Sequence, residues 1–509
     1  MRLSELLKSI ENPLLINGDT GTEILGLHYD SRSVKPGGLF FALRGVSADG
    51  HLFIDAAVKS GAGAVVLEDG TYSPSGIPFV QVADARLAMS QMAAAFYGNP
   101  TGTIPLIGIT GTNGKTTTTY LVESILAKAG MPAAVLGTIN YRFKEKTFSA
   151  PHTTPESVEL QRTLRELVDL GARGVIMEVS SHALDQRRVD GCRFDIGVFT
   201  NLTRDHLDYH KDMESYLESK KRFFTELLVP DRQKPKRRAV VNIDDPLGHL
   251  MARSAPCPVV TYGLVADARI TAREVNFTTS GISGILSTPK GETEFHSSLL
   301  GRFNLYNILA AVSAATAMDL PLDVIRSGIE GHEKVAGRLE RVDNNLGITV
   351  LVDYAHTGDA LENVLKTLLE IASARIITVF GCGGDRDRGK RPIMGEIAGR
   401  YSDMSIVTSD NPRSEDPSLI IEQIRDGIAP LGIKEYAHAE LSAGFGEKGY
   451  TTVKSRKDAI YLAVRLARPG DIVLLAGKGH EDYQIIGSQR IHFDDREEAA
   501  AAIRERLDH

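Results

Sequence analysis

Leu106-Ile107-Gly108-Ile109-Thr110-Gly111-Thr112-Asn113-Gly114-Lys115-Thr116-Thr117-Thr118-Thr119 decides how this chain is read. A short apolar run ends in a glycine-rich turn, and the turn opens a helix. That is the strand–loop–helix context of a phosphate-binding loop. Gly111 and Gly114 let backbone N–H groups face inward around phosphate oxygens. Lys115 adds a mobile positive charge, Thr116 a hydroxyl for Mg²⁺, and the helix its positive dipole end. The strict pattern G-x-x-x-x-G-K-[ST] is missed by one place, because position 109 is Ile and the glycine stands at 108. The alternative is a glycine-rich turn that binds nothing, which Gly-Lys-Thr in this context argues against.

Around that loop lie 509 residues, too many for one core. Hydrophobic content of 42% and charged content of 24% describe an ordinary globular protein. A net charge of -7 argues against nucleic-acid binding through an overall field. Met1-Arg2-Leu3-Ser4-Glu5 carries an early acid and no long apolar stretch follows, so no signal peptide is expected. No window is apolar for the roughly 18 residues of a membrane span, so no membrane insertion is expected. Cys192, Cys257 and Cys382 are isolated, with neither disulfide nor zinc spacing. A reducing cytoplasm fits them best.

Three regions follow from the periodicity. In 1–99, Leu39 to Leu43 and Ala64 to Leu67 read as buried strands, and Asp55 to Lys59 and Ala85 to Tyr97 as helices. Polar loops at 29–32 and 45–51 are binding segments or simply turns. In 100–334, strand-like runs at Ala133 to Leu136, Gly174 to Val179, Ile196 to Thr200, Ala239 to Ile243 and Val259 to Tyr262 alternate with helical patterns. That implies a mainly parallel sheet with helices on both faces. Residues 268–300 read as hairpins, and Asn304 to Met318 as an Ala-rich helix. In 335–509, Val350 to Asp353, Ile376 to Phe380, Ser405 to Thr408 and Ile472 to Ala476 predict a second open α/β sheet.

Chemistry gathers at the strand ends. Glu178 ends an apolar strand, either as a second Mg²⁺ contact beside a phosphate loop or as a capping acid. Residues 201–210 pack two His, two Asp and one Arg into a loop. Lys220 and Lys221, on a probable helix, read by themselves as surface lysines. Asn304 is an N-cap or an amide that reads a purine edge. Asp353 and His356 follow a strand. So do Gly381 to Arg386, Asp410-Asn411-Pro412-Arg413 and Gly477 to Glu481, three polar loops that look like one binding site.

Taken in order, Thr110 to Thr116, Glu178 to His182, Asn201 to Asp208, Gly301 to Asn307, Gly337-Arg338 and Asp353 to His356 resemble the Mur ligases over nearly the whole chain. Asp30-Ser31-Arg32, Ala48-Asp49-Gly50, Thr153-Thr154-Pro155 and Asp410 to Arg413 point to the branch that adds diaminopimelate. The resemblance implies an α/β fold of three domains: a UDP-substrate-binding one (1–99), a P-loop ATPase-like one (100–334) and a C-terminal Rossmann-like one (335–509). It implies a monomeric, cytoplasmic enzyme of peptidoglycan precursor synthesis that uses ATP and Mg²⁺. A UDP-muramoyl dipeptide carboxylate would be joined to an amino acid through an acyl phosphate.

The residue roles come from the same resemblance. Tyr29, Ser31, Val46, Ser47 and Ala48 would hold the uridine end. Thr153, Thr154, Ser180, Gln186 and Arg188 would hold the muramoyl-peptide end, with His152 standing where some relatives carry Asn. Gly111 to Thr117, Asn304, Asn307, Arg338, Asp353 and His356 would contact ATP, and Lys115, Glu178, His206 and Lys220 would be catalytic. Metal ligands would be Thr116, Glu178, His206 and Lys220, the last as a carbamate that turns an ammonium into an anionic oxygen ligand. Arg413 would read the distal carboxylate of diaminopimelate, with Arg386 at the same end. Asp410, Asn411 and Pro412 complete the motif, and Glu481 and the Gly477 carbonyl would take the distal ammonium. The alternative is that Arg413 pairs with Glu415 or Asp416 on the loop surface. L-Lysine as the added amino acid, a folylpolyglutamate synthetase-like ligase and a nucleotide switch without ligase activity are the other readings.

Overall fold

The computed structural model describes residues 1–45, 48–148, 150, 152–203, 209–332 and 334–508. The chain forms two compact units. One contains Met1–Ala272, Leu286–Thr293 and Tyr306–Ile329, and the other Arg273–Ile285, Glu294–Leu305 and Glu330–His509.

Two sheets build the first unit. Its N-terminal sheet runs Leu15–Asn17, Phe79–Gln81, Ala64–Leu67, Gly38–Phe41, Gly26–His28, parallel except at the first pair. Leu39 and Phe41 face one core while Phe40 faces another. Burial on both faces is why this strand reads as an unbroken apolar run. The helix Ala85–Phe96 is capped by Asp84, which accepts from Leu87 N, and it buries Met89 and Met92 in the first of those cores.

The larger sheet has eight strands in the order Val259–Tyr262, Arg238–Asn242, Ile196–Phe199, Leu106–Thr110, Gly174–Glu178, Ala133–Leu136, Tyr141–Phe143, Lys146–Phe148. The first six are parallel and the last two antiparallel. Leu106–Thr110 sits between strands that come later in the chain, so its C-terminal end is a switch point where loops diverge and ligands bind. Pairing in register sets Glu178 beside Ile109 and Phe199 beside Thr110. Both neighbouring strands therefore deliver their following loops to the phosphate loop.

The second unit carries a seven-stranded sheet: Glu340–Val342, Thr349–Asp353, Ile472–Ala476, Ile376–Phe380, Met404–Val407, Gly449–Thr452, Lys434–Glu435. Only the first pair is antiparallel. Helices cover both faces. Leu361, Met394 and Ile424 pack with Leu351 and Leu474. Ile460, Leu462 and Ile503 pack with Val350 and Val473. A hairpin, Tyr483–Ile486 with Gln489–His492, follows the last sheet strand. The expected hairpins of 268–300 are the strands Thr271–Thr278, Gly281–Thr288 and Gly291–Ser297. No helix among the described residues is long and apolar enough to cross a membrane. The three cysteines are free and buried.

Candidate active site

The phosphate loop is braced from the neighbouring strand. Thr112 N donates to Asn201 O at 2.9 Å, Asn113 N to Asn201 Oδ1 at 2.9 Å and Thr200 Oγ1 to Asn113 O at 2.7 Å. Gly111 has to be glycine: a Cβ there would lie 1.9 Å from Thr200 Oγ1. Gly114, at φ +87°, caps the helix Lys115–Lys128, and its Cβ would lie 2.3 Å from Asn307 Oδ1. Asn307 thus packs directly on the loop that the resemblance assigned to the same nucleotide. Thr116 and Thr117 are buried at the helix start. Lys115, the mobile positive charge of the loop, is half-buried, and its Nζ donates to Gly111 O and Thr112 O, both at 2.8 Å. The loop's own carbonyls satisfy the ammonium until an anion competes for it.

Lys220 overturns the surface-lysine reading. It is 1% exposed, on the helix Met213–Thr225, and its Nζ donates to Gly111 O at 3.1 Å. Lys221, its neighbour, pairs with Glu218 at 2.9 Å. The helix is amphipathic, so adjacent lysines take opposite environments. Glu178 is equally buried, and its carboxylate accepts from Thr138 N at 3.1 Å and Thr138 Oγ1 at 2.9 Å. Among the described residues no cationic side chain pairs with it. A buried carboxylate without a counter-charge, at the end of the strand paired with the one that enters the phosphate loop, is an oxygen donor that suits Mg²⁺. His206 lies outside the described residues.

The residues expected at the muramoyl-peptide end form one bonded patch. Thr154 Oγ1 donates to Glu178 O at 2.8 Å and accepts from Ser180 N at 3.2 Å. Arg188 Nη1 donates to Thr154 O at 3.0 Å, its Nη2 to Gln186 Oε1 at 2.8 Å, and its Nε lies 2.6 Å from Glu156 Oε1. Ser180 also caps the helix Ser181–Asp185. Thr153 meets Thr138 at 3.1 Å, and the His152 carbonyl accepts from Tyr141 OH. Of the uridine set, Tyr29 OH donates to Glu159 Oε2 at 3.1 Å, and burial pushes its phenol up. Ser31 opens a short turn capped by Asp30, and Ala48 is exposed. Val46 and Ser47 lie outside the described residues.

In the second unit Asp353 closes a turn, accepting from Leu339 N and Ala355 N, both at 2.8 Å. Burial raises its pKa while Arg338 opposes the shift. Arg338 lies 5.1 Å from the centre of the Tyr354 ring, which also meets His356 and His480. Burial lowers both histidines, His480 to about 4, so each is a neutral imidazole at pH 7. Asn304 is not an N-cap. The helix Arg302–Ala317 begins two residues earlier, and the Asn304 amide donates back to Leu300 O at 2.9 Å.

The residues expected to hold diaminopimelate also lie in this unit. Asn411 Nδ2 donates to Glu481 Oε2 at 2.9 Å, and buried Lys478 lies 3.2 Å from the same oxygen and 3.7 Å from Asp410. A Cβ on Gly477 would lie 3.0 Å from Asp410 Oδ2, and Pro412 is buried. Arg413 does not make the surface pair weighed against it. Glu415 goes to Arg391 at 2.9 Å and Arg388 at 3.1 Å, and Asp416 caps the helix Pro417–Ile428. Arg413 Nη1 instead donates to a neutral acceptor, Gly384 O, at 2.9 Å. Arg386 is exposed and donates to Asp385 O at 3.1 Å. Sequence reasoning missed Lys478 as a bonded member of this cluster, Thr138, and the hairpin at 483–492.

Profiles of three families match: "Mur ligase family, catalytic domain" over residues 23–97, "Mur ligase middle domain" over 109–315, and "Mur ligase, glutamate ligase domain" over 337–479. The chain belongs to the Mur ligase family. Among its relatives is the UDP-N-acetylmuramoyl-L-alanyl-D-glutamate–2,6-diaminopimelate ligase of Geobacter metallireducens, 67% identical over 505 residues and 99% of each chain. A solved structure of a ligase with the same name is 33% identical and covers 100% of this chain and 99% of its own, with a TM-score of 0.73. A Mycobacterium tuberculosis folylpolyglutamate synthase complexed with ADP aligns with a TM-score of 0.60 over 77% of this chain and 91% of its own. At 18% identity that likeness concerns the fold alone.

Proposed function

We propose that this protein is an ATP-dependent amide ligase that adds meso-2,6-diaminopimelate to UDP-N-acetylmuramoyl-L-alanyl-D-glutamate in peptidoglycan precursor synthesis. The observation that carries it is the convergence on one phosphate loop of Lys220, Asn307 and the Glu178 strand. A carboxylate oxygen is a poor leaving group, and phosphorylation makes it a good one. The γ-carboxylate of D-glutamate attacks the γ-phosphorus of ATP, the β–γ bridging P–O bond breaks, and ADP leaves. The amine of diaminopimelate then attacks the acyl carbon, the C–O bond breaks, and phosphate and a proton depart.

The chain's part is positioning and charge neutralisation. Lys115 exchanges its two carbonyl partners for phosphate oxygens, and Thr154, Ser180, Gln186 and Arg188 seat the muramoyl peptide. Thr116, Glu178, His206 and a carbamylated Lys220 would hold Mg²⁺, which neutralises phosphate charge when bound. A lysine carbamate keeps one N–H on Nζ, so the bond to Gly111 O survives the modification. Arg413 reads the distal carboxylate of diaminopimelate. We place domain boundaries at 1–99, 100–334 and 335–509, and the enzyme acts as a cytoplasmic monomer.

Phosphate release tests the reading. It should require ATP, the UDP-muramoyl dipeptide and diaminopimelate together. Release without the dipeptide would indicate a nucleotide switch, and release with a folate in its place would indicate the folylpolyglutamate reaction.

A further inference from the structure

Thr138 belongs to none of the sets described so far, yet it joins two of them. Its backbone N–H and its hydroxyl both reach the Glu178 carboxylate, and its Oγ1 lies 3.1 Å from Thr153 Oγ1. A hydroxyl has one proton, and a carboxylate has none to give. Thr138 spends its proton on Glu178, so the contact with Thr153 is donated by Thr153. The direction along Thr153, Thr138 and Glu178 is thereby fixed.

Two consequences follow for half-buried Thr153. Its own proton is committed inward, so it presents only lone pairs to a ligand. It therefore accepts from an N–H or O–H of the ligand and repels a bare carboxylate or phosphate oxygen. Glu178, in turn, is seated on backbone: a Cβ on Gly137 would lie 2.4 Å from Glu178 Oε1. The carboxylate cannot swing without breaking both bonds to Thr138.

We propose that Thr138 is a positioning residue that orients Thr153 as a hydrogen-bond acceptor for an amide or hydroxyl donor of the muramoyl peptide while it holds the Glu178 carboxylate in place. The identity of that ligand rests on the ligase reading above. Hydroxyl chains in a dry site strengthen one another, so removal of the middle member disturbs both ends.

The test is calorimetric titration of UDP-N-acetylmuramoyl-L-alanyl-D-glutamate into the full chain without nucleotide or metal, followed by titration of Mn²⁺–ATP. Thr138→Val, which keeps the shape and removes the hydroxyl, should weaken the dipeptide by about 10-fold, the loss of about one hydrogen bond. It should also weaken Mn²⁺–ATP, and Thr138→Ser should restore both to within about threefold. Thr153→Ala combined with Thr138→Val should cost little more than either alone, because the two act as one unit. Gly137→Ala, whose Cβ would displace the carboxylate and with it both bonds to Thr138, should weaken Mn²⁺–ATP and the dipeptide together. Wild-type affinities in Thr138→Val, a serine variant as impaired as valine, or additive losses in the double variant would overturn the proposal. A wild-type protein that binds no dipeptide would instead defeat the ligase reading on which it rests.

Discussion

Lys220 Nζ donates to the carbonyl oxygen of Gly111 at 3.1 Å, so a buried lysine of the helix Met213–Thr225 touches the first glycine of the phosphate loop. Lys220→Ala should be nearly inactive, and a short carboxylic acid in the medium should restore part of the rate by filling the carbamate position. Lys221→Ala, which removes a pair with Glu218 on the outer side of the helix, should stay near wild type. Steady-state rates with and without added acetate decide this, and an active Lys220→Ala enzyme would refute the carbamate role.

Lys115→Ala should lower ligation by about 100-fold or more and leave the thermal transition close to wild type. Its ammonium reaches the carbonyls of the loop itself, Gly111 O and Thr112 O, and its loss removes charge at the loop and no apolar core side chain. Circular dichroism beside a coupled ADP assay separates the two effects. Wild-type ligation would remove the phosphate role.

Arg413→Ala should weaken diaminopimelate use by roughly 30-fold or more, since losing one partner of a charge-assisted pair costs about 2–5 kcal/mol. The KM for ATP should barely move. The backbone of Arg413 takes φ +51° and is clamped to the hairpin, with Arg413 N on Ile485 O at 3.1 Å and Gly487 N on Arg413 O at 2.8 Å. Gln484 Nε2 adds a 2.6 Å bond to Asp410 O. Gln484→Ala should therefore raise the KM for diaminopimelate more than it lowers kcat. Kinetics that vary the amino acid at saturating ATP provide the check, and an unchanged KM in both variants would refute this assignment.

Asp495→Ala should destabilise the second unit by about 3–5 kcal/mol, because it strands a fully buried guanidinium. Arg456 Nε donates to Asp495 Oδ1 at 2.8 Å, and neither side chain reaches solvent. Denaturant titration of the variant against wild type measures the loss, and coincident curves would contradict it.

Much of the framework was legible in sequence because each signal was local. The run Leu106 to Thr110 with Gly-Lys-Thr behind it gave the strand, the turn and the helix start. The expected helix from Ala85 to Tyr97 is Ala85–Phe96 in the structure. What stayed hidden depends on distant pairing. Thr138 meets a carboxylate 40 positions away, and only the pairing of Ala133–Leu136 with Gly174–Glu178 brings them together. Lys220 looks like any helical lysine until the phosphate loop covers it. The hairpin does carry a local signal: Gly487-Ser488 between two short β-rich runs is a two-residue turn. Asn304 carried an N-cap signal, but the helix begins earlier, at Arg302.

The most direct test of the central claim offers the wild-type enzyme meso-diaminopimelate and L-lysine together, at equal concentration, with ATP and UDP-N-acetylmuramoyl-L-alanyl-D-glutamate, and resolves the UDP-linked products by mass. Lysine would leave the Arg413 guanidinium without a carboxylate in a closed site, so the diaminopimelate adduct should account for nearly all of the product. Equal amounts of the two adducts, or ADP formed with neither, would contradict it.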